Sequence, residues 1–284
     1  MNMRRKPSSK RTPRLGQHFL TGQWAAVKLA ECIGVRPEET ILEIGPGKGA
    51  LTKELLKTGS RVIAVEKDTR LVQHLQETFP ENIASGTLRV VSSDIRDISP
   101  EKLNLNTYVL AANIPYYITG EIIRSFLTAK QQPRALALLV QKEVAERILG
   151  ARRLSAGRQG KESILSISVK AYGTPRIVAK VSRGNFSPPP SVDSAILLID
   201  NVSRDFFLDV DEKTFFRVVR SGFASKRKLL AGNLSAKFGF TKPEILGFLA
   251  KCGVPEYARA EDVPLETWKC LATHLGTSIS RESA

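Results

Sequence analysis

The stretch ILEIGPGKGALT, Ile41 to Thr52, decides the fold: a short apolar run breaks into glycines at 45, 47 and 49 and then enters a helical pattern. Without a β-carbon, Gly45 and Gly47 permit a tight turn and a close approach of backbone to a ligand, and the amino end of the next helix favours negative charge. The turn satisfies G-x-G-x-x-A, which leaves a dinucleotide site open. A P-loop is excluded, because G-x-x-x-x-G-K-[ST] occurs nowhere in the chain.

Outward from this turn, RVIAVEKD, TLRVVSSD, YVLAAN and ALALLVQ read as further strands, nearly continuous in apolar character as in a sheet covered on both faces. Helical segments lie between them: GALTKELLKTG, ending on Gly59, and TRLVQHLQETF, stopped by Pro80. Strand and helix in alternation imply a parallel, doubly wound α/β sheet. In such sheets ligands sit beyond the carboxyl ends of the strands. Further on, SAILLI after SPPPSVD is expected to form an antiparallel hairpin with the run in KAYGTPRIVAKV. From about Val202 strands disappear and EKTFFRVVRSGFASKRKLLAGNLSAKFG, KPEILGFLAKCG and PLETWKCLATHLG read as helices, each closed by a glycine. The expected organisation is a basic arm at 1–14, a sheet-bearing domain at 15–201 and a small all-helical domain at 202–284.

The 284 residues are 42% hydrophobic and 25% charged, a soluble globular balance, and no apolar run approaches the roughly 18 residues of a membrane span. A transmembrane protein is therefore excluded. Forty-three Lys and Arg against 28 Asp and Glu give +15, which favours a polyanionic partner. The first 14 residues, MNMRRKPSSKRTPR, hold six basic and no acidic side chains with two prolines, a composition expected to stay disordered and lacking the apolar core of a secretory signal. Cys32, Cys252 and Cys270 are far apart, with no C-x-x-C pair and no histidine set beside them. They read as buried thiols in a reducing cytosol, and no metal site is expected.

The strand ends carry the chemistry. Glu66 closes the second strand 21 residues beyond Gly45, where an acid accepts hydrogen bonds from both hydroxyls of an adenosine ribose. Asp94 closes the third, suited to the exocyclic amine of an adenine, a contact that dinucleotide dehydrogenases rarely need. Asn113, Ile114, Pro115 and Tyr116 close the fourth. Methylating an adenine amine requires its delocalised lone pair to be freed. The Asn113 side-chain oxygen and the Ile114 carbonyl can hold the two N–H bonds and aim that lone pair at an electrophilic methyl. Pro115 fixes the chain there and Tyr116 offers a stacking face.

These residues, in this order, resemble a Rossmann-like S-adenosylmethionine-dependent methyltransferase, and specifically the ribosomal RNA adenine dimethyltransferase family. The resemblance spans nearly the whole chain: RLGQHFL, ILEIGPGKGALT, VIAVEKD, SSDIRD, NIPYYI, NFSPPPSVDSA and RAEDVPLETWKCL. It implies that Gln17, His18 and Leu20 cap the cofactor S-adenosylmethionine, that Gly45 and Gly47 approach its methionine part, Glu66 its ribose, and Asp94 with Ile95 its adenine. Asn113 would meet both cofactor and target amine, and Phe186 would close the far side of the target base opposite Tyr116. Two departures stand out. Many relatives have Asn at the place of His18, whose imidazole can still donate to a carboxylate, so cofactor binding is expected to survive the change. Glu162 and Ser163 stand where relatives often show Tyr-Gly.

The same resemblance implies a cytoplasmic enzyme that dimethylates two adjacent adenosines in a hairpin near the 3′ end of 16S rRNA in the small ribosomal subunit, each adenine unstacked or flipped to reach the pocket. A monomer without a membrane partner is expected. Lys226, Arg227 and Lys228, Arg152 and Arg153, and Arg4, Arg5 and Lys6 are candidate phosphate contacts. Three alternatives stay open: a 23S rRNA adenine methyltransferase of the antibiotic-resistance type, a nucleic-acid-binding relative without activity, and, more distantly, a nicotinamide dehydrogenase.

Overall fold

The structure, a computed structural model, describes residues 18–150 and 160–282, with side chains through residue 276. The arm at 1–14, Gln17 and the pair Arg152 and Arg153 lie outside the described residues. A short strand β1 (Phe19–Leu20) precedes helix α1 (Gln23–Cys32). Strand β2 (Thr40–Ile44), α2 (Ala50–Leu56), β3 (Val62–Glu66), α3 (Thr69–Thr78), α4 (Pro80–Ala84) and β4 (Leu88–Ser92) follow. Then come β5 (Tyr108–Asn113), α5 (Thr119–Thr128), β6 (Leu136–Gln141), α6 (Lys142–Leu149) and α7 (Ile164–Tyr172). The hairpin region holds β7 (Thr174–Val181), β8 (Phe186–Ser187) and β9 (Ser194–Asp200), after which come α8 (Glu212–Gly222), α9 (Leu230–Phe238), α10 (Lys242–Lys251) and α11 (Leu265–Glu282).

The main sheet has seven strands in the order β4-β3-β2-β5-β6-β9-β7. The first five are parallel, while β9 runs antiparallel between β6 and β7, as the SAILLI run leads one to expect. Alternate side chains feed opposite faces. Leu42, Ile44, Leu110, Ala112, Leu136 and Leu138 meet α5, α6 and α7 on one side. Ile41, Val62, Val109, Ala111 and Leu139 meet α1 and α2 on the other. Burial on both faces explains the near-continuous apolar runs. Pro80 does more than stop α3: it starts α4 at a position where its missing N–H costs nothing. Glu162 and Ser163 also find local work. Glu162 accepts a hydrogen bond from Lys170 Nζ at 2.6 Å, and the Ser163 hydroxyl caps α7 through the Ser166 N–H.

The helices after β9 form their own apolar core around Phe215, Trp268 and Leu271, joined by Ile167 and Ala171 of α7. Three expectations there are corrected. The long helical pattern from Glu212 breaks at 223–229, because Asn233 Nδ2 donates to the carbonyls of Gly222 (2.6 Å) and Ser225 (3.0 Å), offering the backbone a stop. A β-carbon on Gly222 would lie 2.3 Å from the Trp268 ring, so close helix packing demands this glycine. Gly276 does not close the last helix: α11 runs through it, and its missing side chain lets α11 approach Thr214 of α8. The three cysteines are not all thiols. Cys252 and Cys270, brought to a Cα separation of 5.9 Å by α10 and α11, form a disulfide, with His274 beside them; Cys32 alone is free. Distance along the chain hid a contact made by two packed helices.

Candidate active site

Strand order reverses between β2 and β5, since β3 and β4 build outward on one side of β2 while β5, β6 and the hairpin build on the other. Open α/β sheets bind ligands at that switch point, in the crevice beyond the carboxyl ends. A cavity of about 380 Å³ lies there. His18, Leu20, Gly45, Gly47, Glu66, Asp94 and Ile95 line it, together with Asn113, Ile114, Pro115 and Tyr116.

The glycine bend is held at left-handed angles, with φ of +66° at Gly45 and +58° at Gly47, which residues with a β-carbon rarely adopt. Their surroundings differ. A β-carbon on Gly45 would meet nothing nearer than the Asn113 carbonyl at 3.8 Å, so its face opens to the cavity, whereas one on Gly47 would press the Phe19 ring at 3.1 Å. Beneath the bend sits Glu43, fully buried in β2, an acid that the apolar reading of ILEI passed over. The Thr52 hydroxyl faces it, yet neither Glu43 oxygen nor Thr52 Oγ1 reaches good hydrogen-bond geometry with any described residue. Burial pushes the carboxyl up to about 8, and the nearby Glu66 charge adds to that; Glu43 is therefore largely protonated near neutrality.

Glu66 is almost buried and held by backbone. Its Oε2 accepts from Gly47 N–H at 3.1 Å, and Oε1 from Lys67 and Asp68 N–H at 2.8 and 3.0 Å. Thus the acid at the end of β3 also fixes the shape of the glycine bend, and one lone pair of Oε2 is left toward the cavity. Asp94 takes one backbone N–H and is otherwise held by side chains. Arg96 reaches it through N–H, Nε and Nη2 at 3.1, 3.0 and 2.7 Å, and Lys67 Nζ adds a fourth contact at 3.0 Å. The Arg96 guanidinium holds this carboxyl far below the usual range. Neither Lys67 nor Arg96 is singled out by sequence reading, although SSDIRD and VEKD place a basic residue next to each acid. Tyr117, 68% exposed at the cavity mouth, was likewise missed behind its better-placed neighbour Tyr116.

At the end of β5 the Asn113 Nδ2 donates to the His18 carbonyl at 3.2 Å, and no described residue donates to its Oδ1. The amide is thereby oriented with its acceptor unspent. Pro115 starts a single 3-10 turn, Tyr116–Ile118, closed by Ile118 N–H on the Pro115 carbonyl. Tyr116 shares a hydrogen bond with Ser194 Oγ at 2.8 Å and lies 6.0 Å from the His18 ring at 29°; burial raises its phenol, which stays neutral. His18 Nδ1 donates to the Pro188 carbonyl at 2.8 Å, a bond that assigns the tautomer and leaves Nε2 to the cavity side as an acceptor when the ring is neutral.

Phe186, the expected second face for the target base, lies outside the lining of this cavity. It is 4% exposed, pairs with Leu20 across β1 and β8, and packs in the apolar layer rather than on the cavity wall. With Asn185, whose carbonyl accepts Thr21 and Gly22 N–H at 2.8 and 3.1 Å, NFSPPP latches the first strand over the cavity. Its aromatic ring is packing for that latch, because alternation in the two-stranded ribbon turns position 186 inward.

A parallel sheet with an antiparallel edge hairpin, an acid after each of its second and third strands and an Asn-Ile-Pro-Tyr turn after the fourth, defines a Rossmann-like methyltransferase. The model of the ribosomal RNA adenine dimethylase family matches residues 8–274, so the chain belongs to that family of S-adenosylmethionine-dependent enzymes. It is 41% identical over 259 residues to a ribosomal RNA small subunit methyltransferase A of Dehalococcoides mccartyi strain CBDB1, covering 90% of this chain and 86% of that one. The protein of the same name from Moorella thermoacetica is 36% identical over 92% of this chain and 91% of its own. Among solved structures, the 23S rRNA methyltransferase ErmE superposes with a TM-score of 0.72 at 26% identity, over 91% of this chain and 99% of that one. A dimethyladenosine transferase from Plasmodium falciparum shares the fold at a TM-score of 0.75 and 24% identity, over 92% and 98%. Among the described residues no helix is long and apolar enough to cross a membrane.

Proposed function

We propose that this enzyme dimethylates the N6 amines of two adjacent adenosines in a hairpin near the 3′ end of 16S rRNA, in the small ribosomal subunit, with S-adenosylmethionine as donor. The single observation that carries the proposal is the Asn113 amide, tethered through Nδ2 and turned with Oδ1 unpaired beside a cavity of about 380 Å³. The donor supplies an electrophilic methyl when bound. The residues present fit it: Gly45 leaves room for backbone approach, Glu66 keeps a lone pair for a ribose hydroxyl, and Ile95 gives an apolar wall. Asp94 fits after one adjustment, since an amine joining it must share or displace Lys67, whose side chain is 62% exposed.

In this reading Asn113 Oδ1 and the Ile114 carbonyl hold the two amine hydrogens, which makes the nitrogen more tetrahedral and frees its lone pair. Tyr116, kept neutral and anchored on Ser194, supports the ring of the base. No strong base is required, because the amine becomes acidic once alkylated, and rate comes from positioning and from dipoles arranged for developing positive charge. The turn at Lys226, Arg227 and Lys228, exposed between α8 and α9 with no ion pair to a described acid, offers phosphate contacts.

The sequence relatives named for the small subunit favour it over a 23S substrate, the activity that the ErmE likeness brings into view. Undermethylated small subunits and protein-free 23S rRNA, each incubated with labelled donor, separate the two. Label confined to the small subunit, as dimethyladenosine at two neighbouring positions, is the expected result; label in 23S rRNA alone overturns the assignment.

A further inference from the structure

Outside the switch-point cavity, one group of side chains has chemistry that methyl transfer leaves unused. Cys252 ends α10, Cys270 lies in α11, and His274 follows one helical turn later on the same face of α11. The two sulfurs and the imidazole place their ligand atoms within 4.8 Å of one another, and all three residues are half-buried. Half-burial leaves the group open to a reductant and to an ion. Among the described residues this is the one cluster of His, Cys, Asp and Glu with the spacing of a metal site. Cys32, in α1, lies outside it.

We propose that Cys252, Cys270 and His274 form a site for a soft divalent cation of the Zn²⁺ type, open only when the disulfide is reduced. Two thiolates and an imidazole are a donor set that selects Zn²⁺ over Mg²⁺ or Ca²⁺, which prefer oxygen. Tetrahedral Zn–S and Zn–N bonds of about 2.3 and 2.0 Å need donors roughly 3.5 Å apart, so once the S–S bond is broken the sulfurs must move well apart from their bonded distance while the imidazole draws in. The fourth position falls to solvent. An external dithiol delivers two electrons and two protons to the Cys252–Cys270 bond and leaves as its own disulfide. Metal binding then releases both cysteine protons as two Zn–S bonds and one Zn–N bond form. The ion thereby replaces the disulfide as the tie between α10 and α11, so the helical core is fastened in either redox state.

The test uses the full chain. It is reduced with a phosphine, desalted without oxygen and titrated with Co²⁺ or Zn²⁺, with an oxidised portion alongside. The reduced protein is expected to take one metal per chain with a sulfur-to-cobalt charge-transfer band, and the oxidised protein none. Reactive thiols should number three when reduced and one once Zn²⁺ is added. Cys32→Ser should bind as the parent, Cys270→Ser should lose the band, and His274→Ala should bind about tenfold or more weakly. Equal metal retention by reduced and oxidised parent protein, which needs no variant, would overturn the proposal. So would a His274→Ala protein with unchanged affinity.

Discussion

Two carboxylates close neighbouring strands of the same sheet and face the same cavity, yet they are held by different balances of backbone and side-chain donors. Glu66 at the end of β3 is gripped by three backbone N–H groups, one from the glycine bend and two from its own turn. Asp94 at the end of β4 takes a single backbone N–H, from Arg96, and is otherwise gripped by the side chains of Arg96 and Lys67. Backbone partners are fixed by the fold and cannot be exchanged, so Glu66 belongs to the frame of the cavity as much as to the ligand contact proposed for it. Side-chain partners are long and partly exposed, so the acceptors of Asp94 can change hands. Residues alike in type and in strand position thus differ in how far the fold itself fixes them.

The comparison breaks first at Glu66. Glu66→Ala removes the acceptors of three N–H groups and of the ribose hydroxyls, each charge-assisted bond being worth about 1.5–3 kcal/mol. Affinity for S-adenosylmethionine by calorimetry is expected to fall about a hundredfold or more, with a lower melting temperature. Asp94→Ala removes one exchangeable contact and should cost about tenfold in affinity, with little change in melting. Equal melting losses for the two variants would contradict the distinction. Arg96→Ala should have a smaller effect still, within about threefold and toward tighter binding, because it releases acceptors on Asp94 without touching the frame.

Glu43 sharpens the contrast as the limiting case, a carboxyl with neither kind of partner. Its folded form is raised to about 8 by burial. The stability gained from keeping it protonated is complete below the ordinary carboxylate range and is lost as pH rises through about 8. Thermal melts from pH 5 to 9 should therefore show the parent protein losing stability with rising pH more steeply than Glu43→Gln. Parallel slopes would show that the carboxyl is not the group responsible.

Much of this was readable in the chain. The glycine bend, the strands on either side of it and the acids that close them follow from period and punctuation, because parallel strands buried on both faces write their burial into the sequence. The convergence of Glu66, Asp94 and Asn113 on one cavity follows from the rule that ligands sit beyond carboxyl ends, whereas His18 is expected there from the family resemblance alone. Other features depend on contacts that local pattern does not encode. The break after Gly222 is set by an amide eleven residues away and by Trp268, and Gly276 serves a helix crossing instead of a helix end. The Cys252–Cys270 bond needs α10 and α11 to pack before it has any meaning. Phe186 turned inward because a two-residue ribbon with Leu20 fixes its face, a register that the run NFSPPP alone does not state.

The most direct measurement is single-turnover methyl transfer to undermethylated small subunits by the parent protein and by Asn113→Ala, with donor affinity taken on the same samples. The account predicts a rate reduced about a hundredfold or more, with donor affinity reduced far less, since the unpaired Oδ1 acts on the amine. Transfer at the parental rate by Asn113→Ala would contradict it.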